Sequence, residues 1–236
     1  VCSSDLRAGK ALDRFGVIDF ATTIAPGVRD VLLTGKVYET ARRQGTDRYD
    51  AIVMDAPPTG RITRFLNVNS EVAGLAKVGP IKRQADSIMQ LMRARSTQVH
   101  LVTVLEEMPV QETIDGIAEL QGARLPVGHV LLNLVRPELV TAPTREALAS
   151  GSLDDAAVAA ALESAALPGD AAGPLLAQGR AHVERQQLQE EQREVVGDCG
   201  RPLVELPLLG DGVDHGALFE LARILRDAID PKGGTA

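Results

Sequence analysis

The sequence predicts an α/β fold in which helices cover both faces of a mostly parallel sheet. Two observations carry this prediction: short apolar runs bounded by polar or turn-forming residues, and helical spacing in the segments between them. Such strand–helix alternation is typical of a parallel sheet, because parallel neighbours need a crossover connection. The 236 residues can bury one good core, so one domain with a helical elaboration is the simplest organisation. The predicted strands are residues 49–54, 100–105, 127–135 and 202–209.

Apolar residues at helical spacing predict helices between these strands. The helix after the first strand should bury Ile62, Phe65 and Leu66 on one face. Met89 and Met92 are interpreted as core residues, in preference to a cradle for hydrophobic cargo. The other predicted helical stretches are Val28–Arg43, Ser70–Val99 with a break near Gly79, Val110–Leu120 and Gly216–Ile229. Residues 13–25 are predicted to form a buried helix or an irregular segment.

A long helical insertion, about residues 137–200, is predicted between the last two strands. It contains a charged run, residues 182–194, with the spacing of a solvated helix. Only a thin apolar stripe, formed by Val183, Leu188 and Val195, would pack against the protein. The run could bind a partner, but an exposed helix packed on one side explains it as well.

Charge and composition exclude several classes of function. The chain has 25 basic and 32 acidic residues, a net charge of −7, only 3% aromatic residues and no tryptophan. An acidic chain without stacking side chains is a poor ligand for nucleic acids. No apolar run reaches the length of a transmembrane segment, and the two cysteines, Cys2 and Cys199, form no CxxC pair. We therefore expect a reduced, cytoplasmic protein with no structural zinc.

The start of the chain is unusual. Its first six residues, Val1–Leu6, match one reading frame of a common sequencing adapter, and no methionine precedes them. We interpret them as an artefact at the edge of an incomplete gene; an ordinary polar segment is the alternative. On either interpretation we expect the natural N-terminus to be missing, so that residues 7–236 are an incomplete domain.

The residues following the first predicted strand have the composition of a ligand site. Asp55 ends the strand, and Pro57, Pro58 and Gly60 prevent its continuation. Thr59 could cap the next helix. Ligands of open parallel sheets bind where strands end and helices begin, and a carboxylate there suits Mg²⁺ in phosphate-handling sites. Taken alone, the pattern leaves open that Asp55 only terminates a strand.

Three other strands should bring polar or loop-forming residues to the same edge. If the four strands are parallel neighbours, Asp55, Glu106, Asn133 and Pro207 share the carboxyl edge of the sheet. Each position alone is weak evidence. Their convergence on one edge favours a ligand site.

The pattern Asp-x-x-Pro-Thr-Gly-x-x-x-Arg-Phe-Leu, which starts at Asp55, resembles the switch II segment of a known family. This is the arsenical-pump and tail-anchored-protein-targeting (anion-transporting) ATPase family, a dimeric branch of the deviant-Walker P-loop NTPases. The resemblance implies a three-layer α/β/α fold, and it implies ATP and Mg²⁺ as cofactors. It also implies that Asp55 organises magnesium and attacking water, and that Thr59 and Gly60 start a segment that moves with nucleotide state.

Further segments resemble the same family. Residues 101–113 are similar to the segment whose first carboxylate, here Glu106, contacts ATP; a helix-start acid favoured by the helix dipole is the alternative. Residues 130–133 resemble the strand that supplies the adenine-reading asparagine, here Asn133. Pro207 and Leu208 resemble the segment that encloses adenine through its backbone. Residues 20–27, together with the switch II core, look closest to actinobacterial anion-transporting-ATPase-like subunits, which implies a homodimer or a pair of paralogous subunits.

Departures from the family pattern limit the prediction. No Gly-Lys-Gly-Gly-x-Gly-Lys loop occurs in the 236 residues; in family order it would precede residue 1, so we expect this fragment alone to be inactive. The zinc CxxC and an arsenite-binding cysteine cluster are absent, so the cargo or membrane-protein partner is not identified. Two functions remain: a magnesium-dependent ATPase subunit, and a non-catalytic subunit that binds nucleotide and regulates a paralogue. A partition ATPase is disfavoured, because the C-terminus lacks a basic amphipathic helix.

Overall fold

The computed structural model describes residues 26–75, 78–210 and 212–229. They divide into two compact units. One unit contains the described residues up to Val99 together with Asp115–Val127, and the other contains His100–Ile114 and the chain from Gly128 onward. The segments predicted for residues 1–6 and 13–25, and most of the 20–27 resemblance, lie outside the described residues.

The first unit is built mainly from three helices, α1 (Pro26–Ala41), α2 (Thr59–Leu75) and α3 (Pro80–Met92). The predicted face of α2 is confirmed, since Ile62, Phe65 and Leu66 are all buried. The methionines of α3 are buried as well, which agrees with their interpretation as core residues. The helix predicted to start at Val28 begins at Pro26, a residue whose fixed φ suits a first helical turn.

Buried and half-buried polar groups tie these helices together. Asn69 of α2 donates from Nδ2 to Thr34 Oγ1 of α1 at 2.8 Å, and both residues are almost completely buried. Thr34 in turn donates to the Asp30 carbonyl at 2.8 Å, so the pair is hydrogen-bonded throughout. Arg93 donates to Asn67 Oδ1 of α2 at 3.1 Å. Because a buried polar group without a partner is costly, the Asn69–Thr34 bond fixes the register of α1 against α2, whereas the exposed Arg93 links α2 to the end of α3.

The sheet of the second unit has three strands in the described residues: β1 (Val99–Thr103), β2 (Val127–Val135) and β3 (Leu203–Pro207), in that order. β2 and β3 are parallel. Helix α4 (Glu107–Gly122) connects β1 to β2 and runs through both units. The predicted α/β class with a parallel sheet is therefore confirmed. Each of the last three predicted strands begins and ends within two residues of its predicted bounds.

The predicted first strand is wrong. Residues 49–58 contain no strand, and Val53, expected to be buried, is 94% exposed. An apolar run becomes a strand only where neighbouring strands satisfy its backbone, and none of the described residues pairs with this segment. The sequence pattern identified a segment suited to a sheet, but the backbone partners that would make it a strand are not among those residues.

Between β2 and β3 the chain forms helices α5 (Ala142–Ser150), α6 (Asp155–Ser164) and α7 (Ala172–Gly197), in agreement with the predicted helical excursion. Thr141 and Asp154 cap the first two helices through their side chains. Leu148, Leu176 and Val183 form a small core between α5 and α7. A last helix, α8 (His215–Ile229), follows β3.

The predicted apolar stripe of the charged helix is only partly correct. Val183 is buried, but Leu188 and Val195 are exposed. Gln186, three residues after Val183 and thus on the same side of α7, is buried in their place. Within the described residues no helix is long and apolar enough to cross a membrane.

Candidate functional site

Asp55 lies in an exposed, non-regular segment that leads into α2. No hydrogen bond or ion pair joins its carboxylate to another residue that the structure describes. Mg²⁺ in phosphate-handling proteins is held by one or two carboxylates and completes its shell with water and phosphate oxygens. An unpaired, accessible carboxylate fits that requirement, so Asp55 is a suitable ligand for the predicted magnesium ion.

Thr59 and Gly60 form the first turn of α2. The Arg61 amide donates to the Pro58 carbonyl at 2.9 Å, so the helix starts directly after the second proline. A side chain at Gly116 of α4 would overlap Thr59 Cγ2, which means that the absence of a side chain there permits the close approach of α4. Gly60, by contrast, has open space where a side chain would be. The start of α2 is therefore supported on one side and open on the other.

Glu106 lies between β1 and α4, where its backbone starts the helix. Its carbonyl accepts from the Val110 amide at 3.0 Å. The Glu106 side chain is exposed, whereas Leu105 before it and Val110 after it are buried and anchor the turn. The predicted contact with ATP stays a prediction, and so does the alternative of a helix-start acid, because both require an exposed carboxylate at this place.

Asn133 lies in a β-bulge of β2. Leu132 is opposite Glu205 and Val135 is opposite Pro207, so two residues of β2, Asn133 and Leu134, face a single position of β3. Leu134 has φ +57°, in the left-handed region that non-glycine residues seldom adopt. Bulges of this type redirect side chains and are frequent beside binding sites. Asn133 is half-buried and continues the alternation of the strand, whereas Leu134 is exposed where the alternation would place a buried residue.

Pro207 and Leu208 end β3 next to the bulge. The Leu208 amide donates to the Val135 carbonyl at 2.8 Å and extends the pairing one residue beyond the strand. Both side chains are half-buried. The structure therefore brings Asn133, Pro207 and Leu208 to the adjoining ends of β2 and β3, and their contact with adenine stays a prediction.

The predicted site residues are divided between the two units. Glu106, Asn133, Pro207 and Leu208 belong to the second unit and lie at the carboxyl ends of its three strands. Asp55, Thr59 and Gly60 belong to the first unit. The described residues contain no group of three or more histidine, cysteine or acidic side chains that could hold a metal by themselves.

A histidine pair lies at the opposite, amino end of the sheet. The rings of His100 (β1) and His129 (β2) stack at a centroid distance of 5.4 Å, and the His129 amide donates to His100 Nδ1 at 3.1 Å. Partial burial, and secondarily the charge of His129, lowers the pKa of His100. Only a neutral imidazole has a ring nitrogen that can accept this hydrogen bond. The pair therefore joins the neighbouring strands β1 and β2, and it lies apart from Asn133.

Sequence reasoning missed three residues of α7 that contact the bulge region. Gln189 accepts from the Arg136 amide, Gln186 donates to the Pro137 carbonyl, and Arg193 binds the Glu205 carboxylate. Their spacing of three and four residues within the charged run placed them on one helix face. The sequence shows this spacing, but it does not show which groups this face of the helix contacts.

Comparison with known proteins connects this geometry to a family. The family model for anion-transporting ATPases matches residues 7–95, which include Asp55, Thr59 and Gly60. ATPase BagA of Mycobacterium tuberculosis is 44% identical over 223 residues, and the match covers 92% of this chain and 66% of that protein. The chain belongs to the anion-transporting ATPase family. The Mycobacterium bovis protein Mb3704 shows the same identity and coverage.

Membership of the anion-transporting ATPase family confirms the resemblance found at the switch II pattern. The match to BagA extends over nearly the whole chain, so the helical excursion and the β2–β3 region are part of the relationship as well. The chain spans 66% of the length of the curated relatives that it matches, just under two thirds.

Proposed function

We propose that the protein containing this chain is a magnesium-dependent ATPase subunit that couples ATP hydrolysis to a conformational switch. Its cofactors would be ATP and Mg²⁺, and it would act in the cytoplasm as a homodimer or as a heterodimer with a paralogous subunit. The observation that carries the proposal is the exposed Asp55 carboxylate at the entry to α2, within the segment matched by the anion-transporting ATPase model.

Each predicted residue has a role in this proposal. Asp55 would hold the magnesium shell and orient the attacking water, and the first turn of α2, Thr59 and Gly60, would move with nucleotide state. Glu106 would contact ATP. Asn133 would read the adenine edge, since an amide donates and accepts at once. Pro207 and Leu208 would enclose the base. The transported or chaperoned cargo, or a membrane-protein partner, is not part of the proposal.

The test is magnesium-dependent turnover of the complete protein, with and without Asp55→Asn. Replacing the carboxylate by an amide keeps the size of the side chain but weakens its hold on the magnesium shell. We therefore expect kcat to fall on the order of 100-fold or more. Nucleotide affinity should stay within about threefold, because most binding contacts lie elsewhere. Asp47→Asn, in the short 3₁₀ turn Gly45–Asp47, is the matched control and should keep parental turnover. Parental turnover of Asp55→Asn would refute the assignment.

The alternative is a non-catalytic subunit that binds nucleotide and regulates a paralogous ATPase. The exposed Glu106 and the half-buried Asn133 would serve it equally, because binding alone requires no attacking water. Recovery of the upstream reading frame decides between the two: an intact lysine loop with magnesium-dependent turnover supports the enzyme, and a degenerate loop with nucleotide binding alone supports the regulatory subunit.

A further inference from the structure

Helix α7 contacts the segment that carries Asn133 at several points, and the proposed reaction does not use these contacts. Gln189 Oε1 accepts from the Arg136 amide at 3.2 Å. Gln186 Nε2 donates to the Pro137 carbonyl at 3.3 Å, and this glutamine is only 5% exposed. Both contacts hold the backbone directly after β2, three and four residues beyond Asn133.

The other side of the bulge is held by the same helix. Arg193 of α7 forms a two-point ion pair with Glu205 of β3, at 2.7 Å from Nε to Oε1 and at 3.3 Å from Nη2 to Oε2. Glu205 is the residue opposite Leu132, which directly precedes Asn133. The bulge therefore lies between two segments that α7 fixes, the paired strand before it and the strand exit after it.

A bulge with a non-glycine residue in the left-handed region needs such support. The conformation of Leu134, with φ +57°, carries backbone strain and persists only when neighbouring contacts hold it. The pairing of Leu208 with Val135 supplies one of those contacts, and Gln189 and Gln186 supply the next two along the chain.

We propose that Gln186 and Gln189 of α7 are positioning residues for base recognition, holding the β2 exit so that the bulge presents Asn133 to the adenine. The inference rests on the proposed function, because it assigns the two glutamines to the nucleotide site. It also gives the helical excursion a role: α7 determines how well the protein distinguishes adenine from other bases.

The experiment compares Gln189→Ala, Gln189→Glu and Gln186→Met with the parent in the complete protein. Measured quantities are KM and kcat for ATP and for GTP, with mant-ATP and mant-GTP titrations and the urea midpoint of each variant. Gln189→Glu retains a side-chain oxygen that can accept from the Arg136 amide. Gln187→Ala is the matched control, since Gln187 is an exposed residue of the same helix whose side chain contacts only Glu191 among the contacts described.

We expect Gln189→Ala to raise KM for ATP about three- to tenfold, the effect of one lost hydrogen bond, with kcat within about twofold. The preference for ATP over GTP should fall by a similar factor. Gln189→Glu should restore both, and Gln186→Met should resemble Gln189→Ala. If the protein binds nucleotide without turning it over, the same changes should appear in the mant-nucleotide affinities.

Three results would overturn the inference in distinguishable ways. If the parent binds and prefers ATP but Gln189→Ala and Gln186→Met match the Gln187→Ala control in affinity and base preference, the positioning role is wrong and the proposed function stands. If the parent binds no nucleotide, the proposed function fails and the positioning role fails with it. A lowered urea midpoint with unchanged base preference would likewise show a purely structural role.

Discussion

The Asp55 segment and the Asn133 segment are both predicted to serve one nucleotide site, but the protein treats them differently. Residues 49–58 form no regular structure, and the Asp55 carboxylate has no partner among the described residues. Asn133 lies in a sheet, and the backbone on either side of it is hydrogen-bonded to β3 and to α7. One segment is open and the other is held in place.

The difference matches the two tasks that the family relationship implies. A base-reading amide must be rigid, because discrimination requires donors and acceptors at fixed positions before the ligand arrives. A switch segment must have more than one conformation of similar free energy, and a loop with few buried contacts meets that condition. We infer that the order of the β2–β3 region is a property that base recognition needs.

The largest expected effect is a difference in unfolding free energy between two alanine variants, one in each region. Leu132→Ala removes a completely buried side chain beside the bulge and should lower the free energy of unfolding by about 2–5 kcal/mol. Val53→Ala, at a residue that is 94% exposed, should change it by no more than about 0.5 kcal/mol. Urea unfolding of the two variants and the parent measures both. Equal losses would show that the loop packs against the protein and that the contrast is wrong.

A smaller effect is expected where α4 supports the start of α2. Gly116→Ala places a methyl group against Thr59 Cγ2, whereas Gly122→Ala, in the last turn of the same helix, meets open space. Both changes should gain helix propensity, but only the first incurs overpacking. We expect Gly116→Ala to be less stable than Gly122→Ala by about 1–2 kcal/mol in urea unfolding.

The Gly116 comparison also tests the role of Thr59. Displacing this side chain should reduce turnover in Gly116→Ala, while Gly122→Ala keeps parental turnover. If the two variants agree in both stability and turnover, then α4 does not constrain the first turn of α2. The contact between Gly116 and Thr59 would then have no effect on function.

The smallest expected effect is the change of stability with pH that His100 of β1 contributes. Because the pKa of His100 is lowered, the unfolded chain binds a proton at a higher pH than the folded one. The stability that this group contributes is present above its ordinary pKa of 6.5 and is lost as pH falls through the lower, folded value. Stability should therefore rise with pH across that window.

Replacing His100 by asparagine should flatten this dependence, since an amide oxygen can still accept from the His129 amide but does not titrate. Thermal unfolding midpoints at pH 5 and pH 8 for both proteins provide the measurement. A pH slope in His100→Asn as steep as in the parent would assign the effect to other groups.

Several features followed from local sequence. The apolar spacing of Ile62, Phe65 and Leu66 predicted the buried face of α2, because helical periodicity alone decides which side chains share a face. The three strands that formed are mostly apolar and bounded by polar or turn-forming residues, and the pattern that starts at Asp55 pointed to the family. The same local reasoning failed at residues 49–54, where burial depends on neighbours that are distant in sequence.

What the sequence by itself determined is therefore the α/β class, the order of the elements, the family and a set of candidate residues, since each depends on periodicity or on a short motif. Only the tertiary structure decided that Asn133 lies in a bulge, that Gln186 is buried while Leu188 is not, and that Gly116 lies against Thr59. Those facts depend on which backbone groups of remote segments come within hydrogen-bonding or packing distance. A pattern of residue types contains no information about such distances until the chain has folded.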